Sequence, residues 1–169
     1  MIHLNVGSNL DSVYGGRNDN ISRAINLLIG SKIKVKKISN FYETPSYPNK
    51  NLPKFINIGI NIEYKFDYLE LMKITKLIEK KLGRINTKKN NPRVCDIDII
   101  DFKSKIIKSK IIELPHPRCH LRNFVLYPIK EVAPKWKHPI FNKNIDFLLN
   151  DLSQPSRIEI TRLSKSVII

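Results

Sequence analysis

Apolar and polar residues alternate along the first part of the chain with two different periods. Residues 2–6 (IHLNV) alternate at every second position, which is typical of a strand with one buried face. Apolar residues spaced three and four apart predict an amphipathic helix over 19–29, with a glycine as its stop. Strands are predicted over 32–42 and 55–64, and a proline-rich loop separates them.

The next part of the chain repeats this scheme. Asp67, with a glutamate three residues later, resembles a capping box and predicts the start of a helix whose apolar stripe ends at a glycine. Residues 94–102 predict a strand that continues across a lysine-rich turn into 106–112. A short helical region is predicted over 121–132, interrupted by Pro128.

The order of these elements, β-α-β-β-α-β, indicates the fold class. It predicts an α+β protein, a ferredoxin-like αβα sandwich with a mainly antiparallel sheet. We expect a single domain over 1–169, because no repeat or convincing linker interrupts the pattern. Residues 136–169 predict only helix and surface, and the architecture by itself does not identify any chemistry.

Length and composition exclude several classes of protein. The 169 residues suit one domain with a real core, and no apolar segment approaches the roughly 20 residues needed to cross a bilayer. The first residues lack the basic and apolar stretches of a signal peptide. Two cysteines are too few for a disulfide scaffold and fit a reducing compartment. We therefore expect a cytoplasmic monomer that does not bind membranes.

The net charge of +15, from 30 basic and 15 acidic residues, raises the question of a nucleic-acid partner. Of the basic residues 22 are lysine and only 8 arginine, whereas a surface that reads bases favours arginine. Lysine, isoleucine and asparagine are all abundant, as AT-rich codons would produce. We expect no nucleic-acid partner, although an RNA-binding module on a ferredoxin-like sheet is the alternative from a different class.

The segment Pro92–Ile99 carries the strongest local signal. On a strand, Asp96 and Asp98 share one face while the cysteine and isoleucines between and beside them face the other way. Two adjacent carboxylates repel each other, and Mg²⁺ with its preference for carboxylate and water ligands relieves that repulsion. Arg84 and Arg93 bracket the basic loop just before this strand. Carboxylates with arginines are the groups that phosphoryl transfer requires, whereas a solvated strand face is the alternative.

A second segment, residues 115–124 (PHPRCHLRNF), carries a histidine held between two prolines. Arg118 and Arg122 follow it one helical turn apart, which indicates a cluster that contacts phosphate. A zinc site from His116, Cys119 and His120 is the alternative, although the spacing matches no usual pattern.

Aromatic residues flank hydrogen-bonding side chains in FYETP at 41–45 and FIN at 55–57. Such groups could stack on a flat heterocycle and hydrogen-bond to its edge. The alternative is ordinary core and turn packing. Phosphate-binding glycine loops and nucleophile elbows are absent from the sequence, so side chains and metal must hold any nucleotide.

Together these segments closely resemble the 6-hydroxymethyl-7,8-dihydropterin pyrophosphokinase family of folate biosynthesis. The resemblance covers about 1–135, in the family's order and spacing. The matching segments are GSNL at 7–10, FYETP at 41–45, FIN at 55–57, IEKKLGR at 78–84, PRVCDIDI at 92–99 and LPHPRCHLRNFVLYPIKEVAP at 114–134.

The resemblance implies an ATP-dependent pyrophosphotransferase with a ferredoxin-like fold. The pterin hydroxymethyl oxygen would attack the β-phosphorus of ATP and release AMP without a covalent enzyme intermediate. Asp96 and Asp98 would bind two Mg²⁺ ions, and Arg84 and Arg93 would be the catalytic residues. The pterin-binding residues implied are Thr44, Pro45, Phe55, Asn57 and Phe124. The ATP-binding residues implied are Glu79, Lys89, Ile99, His116 and Arg122.

The chain departs from the family pattern at two loops. The family often has Trp-Gly where this chain has Asn90-Asn91, and the loop 84–93 is about one residue shorter. The loop 11–18 is longer than usual. The first departure motivates another alternative, a degenerate relative that binds ATP and pterin but turns over poorly.

Overall fold

A computed structural model gives the structure of the protein and describes residues 1–84 and 91–163. None of the helices in these two ranges is both long and apolar enough to cross a membrane. The strands are β1 (Ile2–Ser8), β2 (Lys34–Ile38), β3 (Tyr42–Thr44), β4 (Phe55–Glu63), β5 (Asp96–Phe102), β6 (Ile107–Lys108), β7 (Glu113–Leu114) and β8 (Thr161–Arg162). The helices are α1 (Arg17–Gly30), α2 (Tyr68–Lys81), α3 (Asn123–Val132), α4 (Ile145–Asp151) and α5 (Gln154–Ile158).

Six strands form one sheet in the order β5-β1-β4-β3-β8, with β2 also paired to β4. The pairs β1–β4, β1–β5, β2–β4, β3–β4 and β3–β8 are all antiparallel. Helices cover both faces of the sheet, α1 and α2 on one side and α3 on the other. The predicted α+β class and ferredoxin-like αβα sandwich are confirmed.

The two faces of β1 explain why all seven of its residues are buried. Ile2, Leu4 and Val6 point into a core shared with α1 and α2, as the alternation predicted. The intervening residues face a second core, built from α3, α4 and Trp136. A polar residue on β1 is therefore buried as deeply as an apolar one, and must find its partners inside the protein.

Two predicted strands are wrong in extent. The strand predicted over 32–42 is two strands, β2 and β3, because Ser39 leaves the ladder and its hydroxyl accepts a hydrogen bond from the Gly59 amide at 2.9 Å. The strand 94–102 does not continue into 106–112. Lys103 and Ser104 turn the chain with positive φ, and β6 pairs with β7 in a separate two-stranded sheet.

Pro128 does not interrupt the helix predicted over 121–132. α3 runs through it from Asn123 to Val132, after a single 3₁₀ turn at Cys119–Leu121. A Cβ atom at Gly59 of β4 would lie 2.8 Å from the Pro128 Cβ, so the missing side chain lets α3 approach the sheet. We attribute the continuity of the helix to this buried packing.

The sequence predicted only helix and surface near the end of the chain, but the part after residue 134 also contributes to the second core and to the sheet. Trp136 and the apolar side of α4 are buried in the second core. β8 then pairs with the edge strand β3, joining Thr161 to Glu43 and Arg162 to Tyr42.

Candidate active site

A cleft of about 780 Å³ opens where α3 leaves the second face of the sheet uncovered, over β1, β4 and β5. Most of the residues predicted for substrates, metal and catalysis line it together. Those are Thr44, Pro45, Phe55, Asn57, Arg84, Arg93, Asp96, Asp98, His116, Arg122 and Phe124.

The carboxylates of Asp96 and Asp98 face this cleft, while Cys95, Ile97 and Ile99 are buried in the first core. The strand alternation therefore places the acidic pair as predicted. The two carboxylates differ in their surroundings, since each is paired with a different set of cations.

Asp96 lies between two arginines. Its Oδ1 is 2.5 Å from Arg84 Nη1, and its Oδ2 is 3.0 Å from Arg93 Nε. Burial by itself would raise the pKa of Asp96, but the charges of Arg93 and Arg84 outweigh burial and hold that pKa below its ordinary value. Asp96 is therefore an ionised carboxylate that keeps both guanidinium groups at the cleft.

Asp98 has only distant cationic neighbours. Arg122 Nη1 is 3.5 Å and His116 Nε2 is 3.9 Å from its Oδ2. Burial and the negative charge of Asp96 raise the pKa of Asp98 above its ordinary value, against the lowering effect of the two cationic side chains. The repulsion between the two carboxylates is thus only partly compensated within the protein.

His116 is held by hydrogen bonds at its backbone and its ring. Its amide donates to the Ile100 carbonyl at 2.9 Å, and its Nδ1 accepts from the Arg118 amide at 3.2 Å. Burial and the charge of Arg122 lower the pKa of His116, while Asp98 raises it, and the net direction is down. His116 Nε2 lies 3.3 Å from Arg122 Nη1 and 3.9 Å from Asp98 Oδ2, and the tautomer decides whether it accepts from the arginine or donates towards the carboxylate.

Two aromatic rings line the other half of the cleft, each beneath an arginine. The guanidinium of Arg93 lies 5.4 Å from the ring centre of Phe55, and that of Arg122 lies 5.3 Å from the ring centre of Phe124. Between these rings the amide of Asn57 is buried. A Cβ at Gly7 would lie 2.6 Å from Asn57 Oδ1, so this glycine leaves the space that the amide occupies.

Asn9, in the GSNL segment, joins the two halves of the cleft from beneath. Its side-chain oxygen accepts from the Arg93 amide at 2.7 Å, and its Nδ2 donates to Ser46 Oγ at 3.2 Å and the Pro53 carbonyl at 3.1 Å. The backbone that carries Arg93 is therefore fixed to the loop between β3 and β4.

A model of the family described as 7,8-dihydro-6-hydroxymethylpterin-pyrophosphokinase (HPPK) matches residues 3–134. The chain belongs to this family. It is 34% identical over 142 residues to 2-amino-4-hydroxy-6-hydroxymethyldihydropteridine pyrophosphokinase of Aquifex aeolicus, covering 84% of this chain and 86% of that one. The Bacillus subtilis enzyme of the same name is 32% identical over 132 residues, covering 78% of this chain and 77% of that protein.

The fold is also similar to that of a larger protein of this family. The crystal structure of wild-type Plasmodium falciparum HPPK-DHPS superposes with a TM-score of 0.69 at 16% identity. The match covers 95% of this chain and 47% of that chain, so this chain spans about half its length. At this identity the similarity concerns the fold alone, and it includes the ferredoxin-like sheet described above.

Two of the described residues implied by the HPPK resemblance, Glu79 and Ile99, do not line the cleft. Glu79 is almost completely buried, 3% exposed, and holds Arg84 at 2.7 Å and the Ile97 amide at 2.7 Å. Burial raises the pKa of Glu79, although Lys76 and Arg84 both act to lower it. The side chain of Ile99 packs in the first core. Lys89 lies outside the described residues.

Sequence reasoning missed several residues that line the cleft. The Asn5 amide, oriented so that its nitrogen faces acceptors, donates to the carbonyls of Phe124 at 3.0 Å and Ile58 at 3.1 Å. Its only signal was a polar position within an alternating strand. The other missed lining residues are Tyr47, Lys50, Lys76, Leu121, Asn123, Ser153, Pro155, Ser156 and Glu159.

The zinc alternative placed His116 beside Cys119 and His120, but His116 faces Asp98 instead. His138 takes its place, and one ligand atom each from Cys119, His120 and His138 lie within 4.8 Å of one another. Burial raises the pKa of the Cys119 thiol to about 12. His138 Nδ1 is already an acceptor for the Ile140 amide at 3.2 Å, and its ring stacks on Phe141. We therefore assign this cluster to packing of the second core.

Proposed function

We infer that this protein transfers the pyrophosphoryl group of ATP to the hydroxymethyl group of 6-hydroxymethyl-7,8-dihydropterin and releases AMP, a step of folate biosynthesis. One observation carries this conclusion. In a chain whose residues 3–134 match the HPPK family, a single cleft brings together an acidic pair, arginines and two aromatic rings. These are the groups that a metal-bound phosphate chain and a flat heterocycle require.

For the pterin, we propose a slot between Phe55 and Phe124. Aromatic rings favour stacking on a flat, polarisable ring system. Asn57 and Thr44, both buried, supply amide and hydroxyl groups that can hydrogen-bond to the edge of the heterocycle. Pro45 closes the end of the slot nearest β3.

The carboxylates of β5 fit two Mg²⁺ ions. Both face the cleft, they are two residues apart on one strand face, and the charge of Asp96 adds to burial in raising the pKa of Asp98. Hard oxygen ligands of this kind suit Mg²⁺. When bound, the ions would neutralise phosphate charge and polarise phosphoryl oxygens. We propose Asp96 and Asp98 as their protein ligands.

We propose that Arg84 and Arg93 act on the charge that develops on the transferred group. Both guanidinium groups pair with Asp96, and both arginines line the cleft. An anion bound beside Asp96 would lie within their reach. Glu79, buried beneath Arg84, fixes that guanidinium from the side opposite the cleft. Preformed charges of this kind stabilise a transition state without reorganising when the reaction occurs.

The remaining nucleotide contacts are proposed from position in the cleft. The guanidinium of Arg122 and the ring of His116 line the cleft side by side, and we propose that they contact phosphate oxygens of ATP. We retain Lys89 and the strand segment at Ile99 as proposed ATP contacts on the family resemblance alone. Glu79 is better assigned to positioning Arg84 and Lys76 than to direct contact, because its carboxylate is buried beneath them.

The reaction needs no covalent intermediate on the protein. The Cys95 thiol is buried behind β5, and burial raises its pKa far above the ordinary range, so it is no nucleophile. Positioning and electrostatic stabilisation must then supply the acceleration. We also propose that 1–169 acts as one domain in the cytoplasm, which the second core around α4 and the free thiols of both cysteines support.

The test is a product assay with ATP, Mg²⁺ and 6-hydroxymethyl-7,8-dihydropterin that separates AMP from ADP. We expect AMP in a one-to-one ratio with the pyrophosphorylated pterin, and none when the pterin is omitted. ADP as the product would mean ordinary phosphoryl transfer and would overturn the proposal. Binding of both substrates without turnover would identify the degenerate relative and direct attention to the loop 84–93.

A further inference from the structure

The outer wall of the cleft comes from a part of the chain beyond the matched family region. Residues 153–159, here called the strap, contribute Ser153, Pro155, Ser156 and Glu159 to the lining, whereas the family model ends at residue 134. None of the α5 residues within the strap is buried. The strap therefore gains little from apolar packing, and its polar contacts must explain its place.

Both ends of the strap are fastened to the body of the protein. Before it, Leu148, Leu149 and Leu152 are buried in the second core. After it, β8 pairs with β3, and the Leu163 amide donates to the Phe41 carbonyl at 2.8 Å. The anchor strand β3 also carries Thr44, a proposed pterin residue. The strap is thus held across the mouth of the cleft and does not hang from one end.

Two contacts join the strap to the pterin half of the cleft. Asn123 Nδ2 donates to the Ser156 carbonyl at 2.6 Å, and the oxygen of the same amide accepts from the amide of Phe124 at 2.6 Å. Lys50 Nζ lies 2.8 Å from Glu159 Oε2. Lys50 belongs to the loop between Pro45 and Phe55. Among the described residues, the polar contacts of the strap with the cleft walls go to these two partners.

We propose that the strap is the outer wall of the pterin slot and that the Lys50–Glu159 ion pair holds the loop over the pterin closed against it. This inference rests on the proposed function. Glu159 is then a positioning residue that sets affinity for the pterin and leaves the nucleotide side unchanged. An exposed ion pair of this kind contributes on the order of 1 kcal/mol or less, so the effect is modest but measurable.

Charge reversal tests the pair. We would measure Kd for 6-hydroxymethyl-7,8-dihydropterin from its fluorescence, and Kd for MgATP separately, in Lys50→Glu, Glu159→Lys and the double swap. We expect each single variant to weaken pterin binding about 3- to 10-fold while the ATP Kd stays within twofold. The swap should restore most of the pterin affinity, because it rebuilds the pair in reverse.

Glu63→Lys is the matched control. It reverses one member of another exposed pair, Lys36–Glu63, on β4 away from the cleft. We expect pterin affinity as in the wild type. Unchanged pterin affinity in both cleft variants, equal losses for ATP and pterin, or a swap without rescue would each overturn the proposal.

Hydrogen exchange in the free protein separates this proposal from the proposed function. We expect faster exchange of the 153–159 amides in both single variants, and recovery in the swap, whatever the substrate. A wild-type protein that failed to bind the pterin would contradict the proposed function. Exchange rates insensitive to the pair would contradict the coupling of strap and loop even if the enzyme were active.

Discussion

The two faces of β1 and β5 carry different properties of this protein. One face contributes to its stability, and the other lines the cleft. On one face, Leu4, Val6 and Ile97 meet α1 and α2 in a wholly apolar core. On the other face, the alternate residues of the same strands include Asn5 and Asp98, which line the cleft. Stability and chemistry therefore depend on side chains that are neighbours in sequence but on opposite sides of one sheet. A substitution should affect one property or the other according to the face of the sheet on which the side chain lies.

The largest expected effect is on the cleft face. Asp98→Asn should lower the rate of AMP formation by about 10³-fold or more while the far-ultraviolet circular dichroism and unfolding midpoint stay near wild type, since it removes one charge from the proposed metal ligands. Asp146→Asn is the control, because it removes the charge of an exposed carboxylate on α4 that does not line the cleft. Near-normal turnover in Asp98→Asn would remove the metal assignment.

On the apolar face, Leu4→Ala should lower the free energy of unfolding by about 2–5 kcal/mol, because it leaves a cavity in a fully buried core. Urea unfolding measures this loss. The turnover number per folded molecule should stay within a few-fold of wild type, since no Leu4 atom lines the cleft. A loss of kcat in Leu4→Ala as large as that in Asp98→Asn would contradict the separation of stability and chemistry between the two faces.

His3 tests whether a residue of the second face can affect stability without taking part in the chemistry, because it lies on that face but outside the cleft. Burial, with the nearby chain N-terminus, lowers its pKa to about 4, and among the described residues neither ring nitrogen has a hydrogen-bond partner. Its unfolded pKa is near 6.5, so the folded state excludes a proton that the unfolded state accepts. Stability present above pH 6.5 should fall by about 3 kcal/mol as the pH drops towards 4.

The measurement is the difference in unfolding free energy between pH 7.5 and pH 4.5 for wild type and His3→Leu. The variant should lose only part of the histidine-dependent slope, because burial also lowers the pKa values of His116, His120 and His138, which remain in place. An unchanged slope would mean that His3 is not buried as a neutral ring.

Arg93 belongs to the cleft face and should affect rate more than binding. Arg93→Ala should lower kcat by about 10²-fold, since it removes a charge placed for the transition state. The control is Arg23→Ala, which removes an exposed arginine of α1 whose guanidinium lies over the Tyr14 ring. It should leave kcat unchanged. An effect confined to KM would place Arg93 in ground-state binding.

The smallest expected effect is on pterin stacking. Phe124→Ala should weaken pterin binding on the order of 10-fold with little change for ATP, because a stacked ring contributes about 1–3 kcal/mol. Phe147→Ala removes another half-exposed aromatic ring, on α4, and serves as the control. Equal losses for both substrates would argue against a stacking slot at Phe124.

Much of the fold followed from local patterns. Asp67 caps α2 through a hydrogen bond from the Glu70 amide at 2.8 Å, and the period-two alternation of β1 and β5 placed the acidic pair correctly. The predictions that failed depended on contacts distant in sequence. Pro128 was predicted to interrupt the helix, but α3 continues through it and packs closely against Gly59 of β4. The sequence did not predict the strap, because polar residues such as Ser156 cannot be distinguished from ordinary surface residues when their contacts are unknown.

The sequence by itself determined which residue types stand on which face along the regular stretches of each strand, because side chains there alternate between the two faces. The register shift of β5 between Ile99 and Asp101 breaks this alternation, so that Asp101 contacts Trp136 and Phe102 packs in the first core. It also carried the motifs that place the chain in its family. The tertiary structure alone decided that Asp96 pairs with both arginines while Asp98 does not, and that Glu79 lies beneath Arg84. It also decided that Glu159 reaches Lys50 across 109 residues of chain. Such contacts depend on how whole elements pack, and no local period encodes them.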